Sequence, residues 1–243
     1  MIDASDLTVG RRKDRLALDH VSFAVEPGTV YALLGGRGAG KTTVADAFRG
    51  VVKLTAGRAS IDGRDAAAEP REVRRRAAFV ARTGTLYPDL TPRQNARLFA
   101  RMAGTSASRT DIDIALRRMG VPDRTFDAPA GRLEPDTRVL ASLAVAYVRR
   151  VQALILDDPA EGLDELSAED LQEALDEFRR TGAAVLLATS RIPLAASVAD
   201  RVGILRSGAL ATECTPKELL GQSLPQFLLD FAGSRSGAAA GAR

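Results

Sequence analysis

The stretch that most restricts this chain is Gly35-Gly36-Arg37-Gly38-Ala39-Gly40-Lys41-Thr42-Thr43, a Gly, four residues, then Gly-Lys-Thr. An apolar run, Thr29 to Leu34, feeds into it, and a helical run, Thr43 to Arg49, leaves it. Phosphate chemistry needs that context. Glycines let the backbone fold tightly, so that successive N–H groups point inward at an anion. The positive end of the following helix adds to them. In such a loop the lysine, here Lys41, reaches β- and γ-phosphate oxygens, and the hydroxyl of Thr42 is placed to ligate Mg²⁺. A Gly-rich turn before an ordinary helix is the simpler reading. It leaves unexplained why strand, loop, Lys-Thr and helix fall in register.

The totals narrow the alternatives. A chain of 243 residues, 45% apolar, sustains one large α/β domain or two small ones. A net charge of +3 spread along the chain argues against a dedicated nucleic-acid binder, which clusters its basic residues. The run Arg71-Glu72-Val73-Arg74-Arg75-Arg76 lacks interleaved aromatics and reads as a solvated helix face. One cysteine, Cys214, excludes an internal disulfide and suits a reducing compartment. One histidine, His20, cannot build a histidine metal cluster, and a surface or strand-edge place is expected for it. The opening Met1-Ile2-Asp3-Ala4-Ser5-Asp6 is acidic and polar, unlike a signal peptide. No apolar run approaches the ~18 residues that span a bilayer. The expectation is a cytoplasmic chain whose membrane link passes through a partner.

Patterning places the elements. Val21, Phe23 and Val25 alternate with Ser22 and Ala24 as in a half-buried strand, and Pro27-Gly28 turns into the central strand. Gly57 to Gly63 reads as a short strand and turn, and Ala77 to Ala81 as a buried strand. Helical patterns then dominate: Pro92 to Met102 with Thr91 as N-cap, Ser108 to Met119 ended by Gly120, and Asp136 to Arg150. The last has an apolar stripe of Leu140, Leu143, Ala144, Tyr147, Val148 and Val151. Ala153 to Asp158 is an apolar strand ending in two carboxylates. A helix over Ala168 to Arg180, a strand over Ala183 to Thr189, a short helix after Pro193 and a hairpin around Ser207-Gly208 follow, closed by two short helices. The domain reading is a core of residues 1–82 and 151–233, a helical subdomain at 83–150, and a disordered Gly/Ala-rich tail at 234–243. An apolar strand ending in Asp is the usual partner of a phosphate loop, which makes Asp157 a candidate Mg²⁺ ligand.

With these motifs in order, residues 5 to 231 resemble the nucleotide-binding domain of an ABC transporter. Leu18 to Phe23, Leu86 to Thr91 with Gln94-Asn95, Leu156 to Asp164, Ala199 to Leu205 and Thr215 to Leu219 all fit that family's order and spacing. The resemblance implies an α/β P-loop NTPase with an N-terminal β subdomain and an inserted helical subdomain. It implies ATP and Mg²⁺ as ligands, a second ABC-type domain in a head-to-tail homo- or heterodimer, and an integral membrane partner, with no nucleic acid. It implies a peripheral place on the inner face of the cell membrane. The partner is expected in the groove between core and insertion, near Arg82, Thr83 and Leu86 to Leu90.

The departures from the family are as informative. Arg12 aligns with the aromatic under the adenine, and an arginine can still stack on a base. Arg82 stands where the family has a Gln that links metal and membrane partner. Asp158 replaces the general-base Glu, and Ser190 replaces the switch His. The signature Leu-Ser-Gly-Gly-Gln reads Leu133-Glu134-Pro135-Asp136-Thr137. Pro135 removes an N–H donor, while Glu134 and Asp136 bring negative charge, as N-cap and first-turn acids of their helix. Three functions follow: an energising transporter subunit; a nucleotide-binding regulatory or structural subunit that hydrolyses little; and a soluble repair or translation ATPase. The last is disfavoured by a single such domain, no coiled-coil arm and no basic stripe. The expectation is a transporter subunit with weak or absent ATPase activity of its own.

Overall fold

Alternating burial makes the first strands one wall of the protein. The computed structural model describes residues 1–10, 16–159 and 165–221. Strands β1 (Ile2–Gly10) and β2 (Leu16–Val25) pair antiparallel, with Val21, Phe23 and Val25 inward and Ser22 and Ala24 outward. Strand β3 (Val30–Leu34) is buried at every position, as a strand covered on both faces must be. It runs into the glycine-rich loop and then α1 (Lys41–Arg49). Strands β4 (Ala56–Ile61) and β5 (Arg64–Asp65) complete a four-stranded antiparallel sheet in the order β2-β1-β4-β5.

After α2 (Pro70–Arg76) and β6 (Ala77–Ala81) come three helices, α3 (Pro92–Met102), α4 (Arg109–Arg118) and α5 (Pro135–Val148). The chain then returns to β7 (Ala153–Asp157), α6 (Glu165–Arg180), β8 (Ala184–Thr189), α7 (Ile192–Val198), β9 (Arg201–Arg206), β10 (Ala209–Cys214) and α8 (Pro216–Gly221). The second sheet has the order β10-β9-β3-β8-β7-β6, parallel except for β10. This α/β order brings the carboxyl ends of β3, β6, β7 and β8 to one edge, where ligands of open parallel sheets sit.

The inserted helices start where their caps say. Thr91 and Ser108 each close a capping box, with Gln94 and Asp111. Asn95 is fully buried and pins the preceding turn: its side chain accepts from the Tyr87 N–H at 2.8 Å and donates to the carbonyls of Tyr87, Leu90 and Thr91, each at 3.1 Å. The helical insertion and the sheet share one core, in which Ile112, Leu116 and Leu143 join Leu154, Leu156 and Leu187.

Four expectations need correction. Helix α5 spans Pro135–Val148, not Asp136 to Arg150, because Pro135 takes the first-turn position where its missing N–H costs nothing. Its buried face is wider than the stripe read from the sequence. Val139 to Ala146 are all buried, while Tyr147 and Val148 are only partly so, because the helix is packed between α3, α4, α6 and β6. Helix α6 begins at Glu165 rather than Ala168, and α7 at Ile192, ahead of Pro193. His20 is exposed on β2 beside Asp19. The tail at 234–243 and a second closing helix lie outside the described residues.

Candidate nucleotide site

The phosphate-loop segment is held at both ends. Its first residue, Gly35, donates its N–H to the Thr189 carbonyl at the end of β8 at 3.2 Å. Its turn closes with Ala39 N–H donating to Gly36 O at 3.2 Å, and α1 opens with Val44 N–H on Gly40 O at 3.0 Å. Gly40 has φ +114°, and a Cβ there would come within 3.0 Å of the Ala17 carbonyl and the Leu18 side chain. At Gly35 a Cβ would meet the Leu205 carbonyl at 2.7 Å. Behind the loop, the β9–β10 turn braces it, with Gly208 N–H donating to Ala39 O at 2.9 Å. Gly38 faces the other way, and a Cβ there would meet nothing within 4 Å. The loop is clamped on its protein side and open on its solvent side.

Lys41 and Thr42 begin α1 and reach in two directions. Lys41 is 6% exposed, and its Nζ donates to Gly35 O at 2.9 Å and Gly36 O at 3.3 Å. The same ammonium lies 3.2 Å from Asp158 Oδ2. Thr42 Oγ1 donates to Asp157 Oδ1 at 3.1 Å, joining α1 to the end of β7 across 115 residues of sequence. Burial pushes the Asp157 carboxyl above its ordinary value and the adjacent Asp158 charge adds to the rise, against the Thr42 hydrogen bond. Asp158 leaves the strand with φ +47°, a left-handed turn that Asp tolerates better than most side chains. Its N–H donates to Ala188 O at 2.8 Å, and its Oδ1 accepts the Ser190 N–H at 2.8 Å. Both Asp158 oxygens are therefore engaged, one by Lys41 and one by Ser190 (the pairing is the geometric feature sequence reasoning missed). Two carboxylates in tandem after an apolar strand were the visible signal for it.

Together these groups wall a cleft of about 560 Å³, lined by Arg37, Gly38, Gly40, Thr42 and Thr43 on one side and Arg82, Asp157, Asp158 and Ser190 on the others. Ala81 and Thr83 also line it, although no motif singles them out for this cleft. Leu133 to Thr137 are elsewhere, at the start of α5, with Glu134 and Pro135 exposed. Glu134 stands at the N-cap position, but its side chain makes no cap bond. Asp136 Oδ1 instead accepts the Thr137 N–H at 2.6 Å. Arg12 and residues 160–164 lie outside the described residues.

The residues present fit a magnesium polyphosphate. Thr42 Oγ1 and Asp157 Oδ1 are hard oxygen donors already side by side, as Mg²⁺ prefers. No group of three or more His, Cys, Asp or Glu residues suited to a metal exists among the described residues. That matches a metal held by one or two protein ligands plus phosphate oxygens rather than by an all-protein cage. Fold and site define a P-loop nucleotide-binding domain with an inserted helical region.

The sequence profile of the ABC transporter family matches residues 18–161. The chain belongs to that family, as an ATP-binding subunit. It is 30% identical over 224 residues to "Nod factor export ATP-binding protein I" of Burkholderia thailandensis, covering 92% of this chain and 74% of that one. It is 33% identical over 211 residues to "Daunorubicin resistance ATP-binding protein DrrA2" of Streptomyces coeruleorubidus, covering 86% of this chain and 65% of that one. Among solved structures, "Structure of ATP binding subunit of ABC transporter" superposes with a TM-score of 0.82 at 27% identity, covering 96% of this chain and 99% of that one. No helix among the described residues is long and apolar enough to cross a membrane.

Proposed function

We propose that this chain binds Mg·ATP at the Gly35 to Thr43 loop, hydrolyses it slowly, and serves as the ATP-binding subunit of an export system on the inner face of a membrane. The names of the two relatives, one an export protein and one a drug-resistance protein, support export over import. The observation that carries the catalytic part is the double engagement of Asp158, by Lys41 at 3.2 Å and by the Ser190 N–H at 2.8 Å. Bound Mg²⁺ supplies charge neutralisation at the β- and γ-phosphates. The loop N–H groups and Lys41 orient those phosphates, and Thr42 with Asp157 holds the ion. For Lys41 to turn to phosphate it must leave Asp158, so nucleotide and Asp158 compete for one ammonium. Ser190 supplies a backbone N–H and a hydroxyl but no ring nitrogen to steer water. The partner is an integral membrane subunit, and a second ABC-type domain completes the assembly.

A substitution at Asp157 separates metal binding from folding. Burial raises the folded-state pKa of Asp157, so the folded chain holds that proton more tightly than the unfolded one. The resulting stability is present below the unfolded value and is lost as pH rises through the raised folded value. At neutral pH the buried charge is therefore a cost, which Asp157→Asn removes. The variant is expected to melt above the wild type at pH 7 without ligand. The difference should shrink below the ordinary carboxylate range, where the wild-type Asp157 is protonated. The same variant should lose the Mg²⁺ dependence of ATP binding. Thermal melts at the two pH values, with ATP titrated with and without Mg²⁺, check both halves. Unchanged Mg²⁺-dependent binding in the variant would remove Asp157 from the metal site.

A further inference from the structure

Lys41 is not the only cation of the nucleotide cleft. Arg37 and Arg82 also line it, from different walls. Arg37 is the third residue of the Gly35 to Thr43 loop, between Gly36 and Gly38. It is exposed and has no hydrogen-bond or ion-pair partner among the described residues. Gly38 beside it has φ +82°, and a Cβ there would meet nothing within 4 Å. Arg37 thus stands on the open side of the loop.

Arg82 arrives from a turn that is fixed in place. Strand β6 pairs with β7 in parallel, with Ala81 opposite Asp157, so Arg82 leaves the sheet beside the two carboxylates. The Gly84 N–H closes the turn on the Ala81 carbonyl at 2.9 Å. Thr85 Oγ1 donates to Phe79 O at 2.9 Å and accepts the Ala81 N–H at 3.3 Å. On α5 the buried Ser142 Oγ accepts the Thr85 N–H at 2.9 Å. Gly84 has φ +78°, and a Cβ there would come within 2.8 Å of the Arg138 carbonyl. The turn is therefore tied both to β6 and to α5, with Arg82 exposed on it.

The charges in the cleft give these arginines a task. Asp157 and Asp158 share its wall, and the Lys41 ammonium lies 3.2 Å from Asp158. A terminal phosphate brings further negative charge beside those carboxylates. Like charges in one site oppose binding unless cations offset them. A guanidinium stays charged, and its planar fork meets phosphate oxygens two at a time. A solvated surface arginine is the simpler reading of either residue alone. It does not account for two of them on separate walls of one cleft, one on the phosphate loop and one on a pinned turn.

We propose that Arg37 and Arg82 close on the terminal phosphate of the bound nucleotide, so that a single copy of this chain tells a triphosphate from a diphosphate. The proposal rests on the Mg·ATP reading above and adds the residues that set its specificity. Lys41, Thr42 and the loop N–H groups hold what ATP and ADP have in common, and the two arginines read what they do not. The positive charge that meets the terminal phosphate then comes from within the chain, whereas Glu134 at the start of α5 offers none.

The test is titration calorimetry of the purified chain with Mg·ADP and with the Mg²⁺ complex of the β,γ-imido analogue of ATP, which is not cleaved during the titration. The wild type is expected to bind the triphosphate analogue about tenfold or more tighter than the diphosphate. That preference should fall as salt rises and should not depend on chain concentration. Arg37→Ala with Arg82→Ala, both at exposed positions, should remove the preference and leave Mg·ADP affinity within about twofold of the wild type. Unchanged Mg·ADP binding also reports that the loop is intact in the variant, while Lys41→Ala should lose both nucleotides. Equal binding of the two nucleotides by the wild type overturns the clamp and leaves the nucleotide reading standing. A preference retained in the double variant, or a loss of both nucleotides in it, also overturns the clamp. A preference that grows with chain concentration overturns it too, since a second copy would then supply the charge. Binding of neither nucleotide by the wild type removes the nucleotide reading and the clamp together.

Discussion

The purified chain, saturated with Mg·ATP, is expected to turn over at about 0.001–0.1 s⁻¹, against an enzyme median of ~10 s⁻¹, because loss of a working general base costs about 10²–10⁴-fold. A base must stand within about 2.6–3.2 Å of the proton it takes, or reach it through one water. Asp158 is one methylene shorter than the glutamate that the family resemblance implies at this position. Its carboxylate is also drawn back toward its own chain, by the Lys41 ammonium at 3.2 Å and the Ser190 N–H at 2.8 Å. Nucleotide binding can free the first contact by drawing Lys41 to phosphate, but the second is local to the end of β8 and persists. The repair is correspondingly specific: Asp158→Glu with Ser190→His should raise turnover by tenfold or more, and Lys41→Ala in that background should abolish it. A coupled-enzyme assay gives the rates. Wild-type turnover near ~10 s⁻¹ would show that another residue serves as base.

A second large effect concerns assembly: ATP is expected not to drive two copies of this chain into a closed dimer. In the head-to-tail arrangement implied by the family, the start of α5 faces the γ-phosphate of the other copy. Here that helix start is poor in donors. Pro135 has no N–H, and the Thr137 N–H is taken by Asp136 Oδ1 at 2.6 Å. Glu134 is exposed at the N-cap position with no local bond to hold its carboxylate aside. Two unit charges 4 Å apart repel by about 4 kcal/mol at an effective dielectric near 20 and by about 1 kcal/mol in water. A charge-assisted hydrogen bond contributes about 1.5–3 kcal/mol, so the repulsion is comparable with the attraction it replaces, at both sites of a dimer. Sedimentation of Asp158→Asn with and without Mg·ATP, which prevents turnover, should show monomer in both. Placing Ser-Gly-Gly at 134–136 should shift it toward dimer. A tight ATP-dependent dimer without that change would mean the segment does not oppose closure.

The parts of the molecule legible in the sequence were those written in local chemistry. The strand, loop and Lys-Thr order of residues 29 to 43, the Thr91 and Ser108 caps, and the strand ending in Asp157-Asp158 each carry their own signal within a few residues. Helix α5 was harder because periodicity reports one buried face, and this helix is packed on nearly all of its circumference from Val139 to Ala146. The brace on the phosphate loop, Gly208 N–H to Ala39 O, joins residues 169 positions apart and leaves no pattern in either segment. The Arg71 to Arg76 run reads as a solvated face, and its side chains are indeed largely exposed.

The central claim is a site that holds Mg·ATP and scarcely spends it. The most direct measurement is titration calorimetry of the wild type and Lys41→Ala with Mg·ATP, beside chromatography of the nucleotide recovered from the protein quenched about one second after mixing, short against the expected turnover time of about 10 s or more. The wild type should bind one nucleotide per chain and return it mostly as ATP, while Lys41→Ala binds none. Equally weak binding by both forms, or recovery of the wild-type nucleotide mostly as ADP at about one second, as turnover near ~10 s⁻¹ would give, would contradict it.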